Sequence, residues 1–348
     1  MKAGFYKNKR IFITGHNGFV GSWLTLWLDK VGADITGFSL SPPSKPCHYD
    51  LLGLDKKINN IRGDVRKVAD LTRAIREYEP QIIIHLAAQA ILLKSYEDPV
   101  GTYSTNFIGT LNVLEAARKS SSTEAILNVT SDKVYENVKS RDPYKEKDKL
   151  GGYDPYSSSK ACSELVTQAY RNSFLSGIGV ATARAGNILG GGDWGAYRLM
   201  PDLMNSYLKG NKVIVRNPDA IRPWTYILDV LNGYLVLTEK LYKNPKQYSE
   251  GWNFSSPYRK TVIDLIREFT KNYPINYKII KAKDHEDKVL LLDAAKARKR
   301  LNWEPIMGFD ETVRDTASWY NYFYKCHDKG IGDYSKQQLR QFEERLHA

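Results

Sequence analysis

The stretch KRIFITGHNGFVGSWLTLWLDKVG, residues 9–32, changes its pattern twice. Ile11 to Thr14 form a short apolar run of strand character. Gly15, Gly18 and Gly21 then punctuate a turn, and Trp23, Leu24, Leu26, Trp27 and Leu28 recur as the apolar face of a helix. Glycines at these places let the backbone turn tightly and approach a pyrophosphate, while the helix N-terminus offers free N–H groups to its charge. Gly15, Gly18, Phe19, Val20 and Gly21 are therefore candidate cofactor contacts. A tight strand-to-helix connection without a ligand can also carry three glycines, so the surrounding chain has to decide.

It does so by alternation. ADITGFSL (33–40) reads as a second strand, IRGDVRK (61–67) places Asp64 and Val65 just past a third, and PQIIIHLAAQ (80–89) runs as a buried fourth. That fourth run ends in Leu86, Ala87, Ala88 and Gln89, where the small residues would let a cofactor come close. VGTYSTNFIGTLNVLEAARKS (100–120), carrying Asn106, is a helix, and AILNVT (125–130), closing on Thr130, is another strand. Strands alternating with helices make a Rossmann-type doubly wound parallel α/β sheet. We assign residues 1–186 to this dinucleotide-binding domain and 187–348 to a smaller mixed α/β substrate domain, with the chain crossing between them around 225–255. The acid expected about 20 residues past the glycines is absent from Phe38-Ser39-Leu40, where no arginine stands either. Lys45 keeps NADP open, and NAD is favoured.

Bulk properties narrow the class. The chain has 348 residues, 42% of them hydrophobic, ample for one large or two modest cores. No run approaches the roughly 20 apolar residues of a membrane span, and the opening MKAGFYKNKR lacks a signal peptide's apolar segment. Cys47, Cys162 and Cys326 are too far apart for a zinc site or a disulfide framework, so no metal is expected and the reading is a reducing cytoplasm. The formal charge of +12 is spread among acids, even in the helical KQQLRQFEERLHA, so it suggests neither a nucleic-acid arm nor a membrane patch.

GGYDPYSSSKACSELVTQAYRNSF (151–174) puts Tyr156 and Lys160 on one face of a helix starting near Pro155. An ammonium beside a phenol favours tyrosinate, a base able to take a hydroxyl proton. Tyr242 and Lys246 repeat the spacing in what reads as a surface turn, so spacing alone proves little. Order along the chain singles out Tyr156, after the glycine turn, the HLAA strand and NVTSDKVY (128–135), where Ser131, Asp132 and Lys133 stand at a strand exit.

GHNGFVG, IIIHLAAQ, TSDKVY, YSSSK and RAGNILGGGDW together resemble the extended short-chain dehydrogenase/reductases, and within them the CDP-glucose 4,6-dehydratases. The likeness runs over nearly the whole chain, with RNPDAIRPW and SEGWNF among the nearest stretches. It implies an NAD-dependent hydro-lyase that converts CDP-glucose to its 4-keto-6-deoxy product, for deoxysugar and lipopolysaccharide synthesis. It also implies that Tyr156, supported by Lys160, removes the 4-hydroxyl proton. Asp132 would be the acid toward the C6 oxygen, Lys133 the base toward C5, and Ser131 a hydrogen-bond partner of the 4-oxygen. Gln89, Asn187, Arg198, Arg216, Arg222 and His285 would hold the nucleotide sugar, and a homodimer or tetramer would form through the helix around Tyr103–Ala117 and the one carrying Tyr156. Two stretches depart from the pattern: KSRDP (139–143) replaces a tryptophan-bearing segment, and Leu93 stands where an arginine is usual. Both leave the sugar open, another hexose or a heptose included. A 4-epimerase or reductase on this scaffold is the nearest rival, and a non-catalytic nucleotide- or RNA-binding protein a distant one.

Overall fold

The computed structural model describes residues 3–138, 142–215, 217–280, 288–326 and 329–347. Arg10–Thr14 is strand β1, the glycine turn follows, and Phe19–Lys30 is helix α1. At Gly15 φ is +73°, and a Cβ there would lie 2.7 Å from the Ala87 backbone nitrogen, so only glycine lets β1 and the segment after the fourth strand meet. Next come β2 (Asp34–Ser39), β3 (Asn59–Arg62), α2 (Val68–Tyr78) and β4 (Ile82–His85). The run read as one helix over 100–120 is interrupted. Pro99–Tyr103 is α-helical, Ser104–Ile108 forms a π-turn, and α3 resumes over Gly109–Arg118. The widened turn surrounds Asn106, whose amide is bonded on both sides to neighbouring elements.

β5 (Ala125–Val129), α4 (Pro155–Ser173) and β6 (Gly179–Ala185) follow, then α5 (Leu199–Lys209), α6 (Ile227–Lys243) and β7 (Gly251–Phe254). Asp154 caps α4, its carboxylate accepting from Ser157 N at 2.9 Å, with Pro155 in the first turn. Seven parallel strands order as β7-β6-β5-β4-β1-β2-β3. The doubly wound fold expected above is the one observed, and its seventh strand comes from residues 251–254.

Alternate residues of each strand serve opposite faces. Ile11, Ile13, Ile82, Ile84, Leu127 and Ala183 pack with Trp23, Trp27, Leu231 and Leu235 of α1 and α6. Phe12, Ile83, Ile126 and Val180 pack with Leu71, Ile75, Val113 and Leu114 of α2 and α3. Short two-stranded ladders join 188–189 to 225–226, 213–215 to 277–279 and 221–222 to 260–261, building the wall opposite the strand ends. The chain then forms α7 (Phe309–Cys326) and α8 (Ile331–His347). α8 is more than a charged surface helix: Leu339 and Phe342 are buried, and Glu343 accepts a 2.9 Å hydrogen bond from Trp27 Nε1 of α1. Tyr242 sits at the end of α6 rather than in a surface turn, and its hydroxyl donates to Glu124 at 2.6 Å.

Candidate active site

A cavity of about 810 Å³ opens along the carboxyl ends of β1, β4, β5 and β6, where ligands bind in doubly wound sheets. Ser131, Asp132, Lys133, Tyr156, Lys160, Asn187, Arg198 and Arg222 all line it, as do Phe19, Val20, Leu86, Ala88 and Thr130. Residues read from separate motifs thus meet in one space. Gly15, Gly18, Gly21, Asp64, Val65, Ala87, Gln89 and Asn106 lie outside the lining. Asp64 is held by Arg66 at 2.6 Å, a hydrogen bond that lowers its carboxyl pKa, and Val65 packs into the core beside Phe38. Gln89 and Asn106 bond each other, Gln89 N to Asn106 Oδ1 at 2.9 Å and Asn106 Nδ2 to Gln89 O at 3.0 Å, and Gln89 Nε2 donates to Thr102. Their side chains brace the segment after β4. Arg216 and His285 lie outside the described residues.

β5 delivers the acid–base stretch. Past Val129 the chain turns through Asp132–Val134 in a single 3-10 turn capped by Ser131, whose hydroxyl accepts from Lys133 N at 3.2 Å and donates to Asp132 Oδ1 at 2.9 Å. Asp132 is 4% exposed. Its carboxylate fits because residue 186 is glycine: a Cβ there would lie 1.8 Å from Asp132 Oδ2. Gly186 is a site residue that sequence reasoning passed over inside RAGN. Asn187, next to it, has φ of +47°, backbone strain of the kind that collects at functional sites.

Tyr156 and Lys160 come from the first two turns of α4 and are buried. Lys160 Nζ donates to Val129 O at 3.2 Å, and burial lowers its pKa to about 8, partly offset by Glu164. The Tyr156 hydroxyl moves the opposite way from the sequence expectation. Burial raises it to about 12, with Asp132 adding to the rise, while a Ser131 hydrogen bond and the Arg198 charge pull it down. Desolvation disfavours the anion more than the protein's own cations favour it.

Apolar Ala90, Ile91, Leu92 and Leu93 line the cavity as one run, and Arg198, Lys209, Lys212 and Arg222 line it as well. Arg222 is 3% exposed and donates to its neighbour's carbonyl, whereas Arg198 is exposed and paired with Asp193 at 3.1 Å. Cations and an apolar run in one cavity suit a ligand with an anionic part and a less polar part. At the other end, the first turn of α1 begins at Gly18 with no side-chain cap, leaving its N–H groups toward the opening lined by Phe19 and Val20. That turn fits the diphosphate of a dinucleotide.

The family described as GDP-mannose 4,6 dehydratase matches residues 12–316. The chain belongs to this family. It is 39% identical to the CDP-glucose 4,6-dehydratase of Salmonella typhimurium over 97% of its own length and 99% of the relative's. It is 26% identical to the dTDP-glucose 4,6-dehydratase of the same organism, over 89% and 92%. Among solved structures, a Bacillus anthracis dTDP-glucose 4,6-dehydratase in complex with NAD superposes with a TM-score of 0.78 at 21% identity, covering 90% of this chain and 96% of that one. A Thermotoga maritima UDP-glucose 4-epimerase with UDP-glucose gives 0.80 at 20% identity, covering 90% and 99%. The last two share the fold that the sheet order had already indicated.

Proposed function

We propose that the protein is an NAD-dependent nucleotide-sugar 4,6-dehydratase acting on CDP-glucose, forming the 4-keto-6-deoxy sugar with loss of one water. One observation carries the reading: Ser131, Asp132 and Lys133 share a cavity with Tyr156 and Lys160. Oxidation and its reversal at C4, the whole task of an epimerase, uses tyrosine and lysine. Elimination across C5 and C6 needs one more acid and one more base, and this cavity has both types of group.

NAD bound along the glycine turn supplies the hydride acceptor at C4 and the donor that later reduces C6. Tyr156 takes the 4-hydroxyl proton, with Ser131 hydrogen-bonded to the same oxygen. Lys160, charged below about pH 8, lies one turn along α4, and Ser131 and Arg198 are the groups that favour the tyrosinate. The 4-ketone acidifies the C5 hydrogen, which Lys133 removes as a proton while Asp132 protonates the departing C6 oxygen, and the Lys133 ammonium returns a proton to C5 when C6 is reduced. Arg198 and Arg222 hold the diphosphate and Asn187 the nucleotide side, leaving the sugar against Ala90–Leu93. The similarity to the Salmonella CDP-glucose enzyme favours cytidine and glucose.

Exposed apolar residues on the elements around α3 and on α4, Val100, Ile108 and Leu165, support a homodimer through those helices. Among the described residues no helix is long and apolar enough to cross a membrane, and the three cysteines, all free, favour a reducing cytoplasm. The test is incubation with CDP-glucose, UDP-glucose, dTDP-glucose, GDP-mannose and heptose nucleotides, followed by mass. Loss of one water from CDP-glucose with no net NADH consumption is expected. An isomer, or a product that consumes NADH, would sink the dehydratase reading.

A further inference from the structure

Behind the acid–base stretch lies an ion pair that the proposed chemistry does not use. Glu164 of α4 and Arg184 of β6 are each 4% exposed. Arg184 grips the carboxylate with two nitrogens, Nε to Oε1 at 2.9 Å and Nη2 to Oε2 at 2.7 Å. Each partner then reaches forward. Glu164 Oε1 accepts from the Thr130 hydroxyl at 2.5 Å, and Arg184 Nη1 donates to the Tyr135 hydroxyl at 2.8 Å. Thr130 and Tyr135 flank Ser131–Val134, so one rigid pair holds both ends of the stretch that carries Asp132 and Lys133.

Most of the remaining bonding capacity of the pair is taken up. Thr182 donates to Glu164 Oε2 at 2.7 Å, and Arg184 Nη1 also donates to the Glu146 carbonyl at 3.1 Å. Tyr135 in turn donates to Asn253 Oδ1 of β7 at 2.7 Å and stacks on Tyr144 with ring centroids 5.0 Å apart. A buried ion pair is a poor device for stability, because desolvation cancels most of the attraction and an apolar replacement often serves as well. Its value is directional: a bidentate guanidinium–carboxylate fork fixes the position of whatever is bonded to it.

We propose that Glu164 and Arg184 are positioning residues for the elimination step, clamping Thr130 and Tyr135 so that Asp132 and Lys133 meet C6 and C5 of the sugar. The inference rests on the dehydratase reading. Oxidation at C4 depends on Tyr156 and Lys160, which α4 carries directly. Elimination depends on a single 3-10 turn between the two clamped residues, where a small displacement is costly.

Removing Glu164 or Arg184 leaves a buried charge unpaired and threatens the fold, so the decisive variants are Thr130→Val and Tyr135→Phe, which cut one anchor each. In single turnovers of the NAD-loaded enzyme with CDP-glucose in deuterated water, NADH absorbance reports C4 oxidation. Deuterium at C5 and water loss report elimination. Each variant is expected to slow elimination about tenfold or more, Tyr135→Phe, which lies outside the cavity lining, is expected to change oxidation less than about twofold, and Thr130→Ser is expected to restore the rate lost in Thr130→Val. The double variant should fall short of the product of the singles, since both cut one clamp. If the wild type loses water but the variants slow both steps equally, or neither, the clamp is only structural and the proposal fails. If the wild type loses no water from any nucleotide sugar, the dehydratase reading fails and takes the clamp with it.

Discussion

The segment Ser131–Tyr135 and the rim Asp193–Val215 face the same cavity and are held in opposite ways. The first has Ser131, Asp132, Val134 and Tyr135 buried, with an ion pair behind it bonded to Tyr135 at one end and to Thr130 just before the other. The second exposes Tyr197 at 59%, Leu208 at 41% and Ile214 at 58%, and its Arg198 is held by one exposed ion pair to Asp193. The residues proposed to move protons are fixed from within the sheet, while Arg198, proposed to grip the distant part of a ligand, stands exposed on the rim. Chemistry tolerates little displacement, whereas binding by long cations tolerates a good deal.

The comparison can be broken at its stronger side first. Tyr156→Phe is expected to lower turnover by roughly 10³ or more, with NAD affinity, read by titration, unchanged. Lys133→Ala is expected to cost about 10² in water loss while C4 oxidation, seen as transient NADH, persists. An unchanged dehydration rate would remove Lys133 from its role. At the rim, Arg198→Ala is expected to raise KM about tenfold, the value of one charge-assisted hydrogen bond, with kcat nearly unchanged. A fall in kcat instead would mean that the rim too is held rigidly.

The smallest effect at neutral pH concerns two buried histidines. His85 bonds Thr14 at 2.6 Å and Thr110 at 3.1 Å beneath the cofactor turn, while His48 bonds Ser335 of α8 at 3.1 Å. Burial lowers both to about 3 from the usual 6.5. Below pH 6.5 the unfolded chain therefore takes up protons that the native state refuses until about pH 3. Each histidine's share of stability should be flat above 6.5 and fall by about 1.4 kcal/mol per pH unit below it, and the buried Asp229 carboxyl, raised to about 7, opposes only one such share, so the net falls. Urea midpoints from pH 7.5 to 4.5 check this, and a midpoint that rises on acidification would contradict it.

The fold was largely legible because its signals are local. The glycine turn, the apolar runs of β1, β4 and β5, and the Pro155 helix start are each written within a dozen or so residues. The same holds for the chemistry-bearing residues, which announce themselves as neighbours: Ser131, Asp132 and Lys133 in sequence, Tyr156 and Lys160 one turn apart. What escaped is non-local. Glu164 reads as one acid on a charged helix face, and nothing in the strand run GVATARA marks Arg184 as its partner. Gly186 is unremarkable until the Asp132 carboxylate is seen filling the space its missing Cβ leaves. The π-turn at Asn106 was likewise hidden, since the sequence around it suits an unbroken helix.

α8 packing onto α1 sets an order of events during synthesis. Trp27 and Glu343 are 316 positions apart, and Trp23 stands against His48, which bonds Ser335. The apolar face of α1 is thus completed by a helix made hundreds of residues later. Until α8 has been made, the part of that face around Trp27 lacks its Phe342 and Glu343 cover, and long-range closure of this kind is slow and prone to aggregation. A chain stopped before Ile331 should therefore accumulate as insoluble protein even though every residue facing the cavity has already been made.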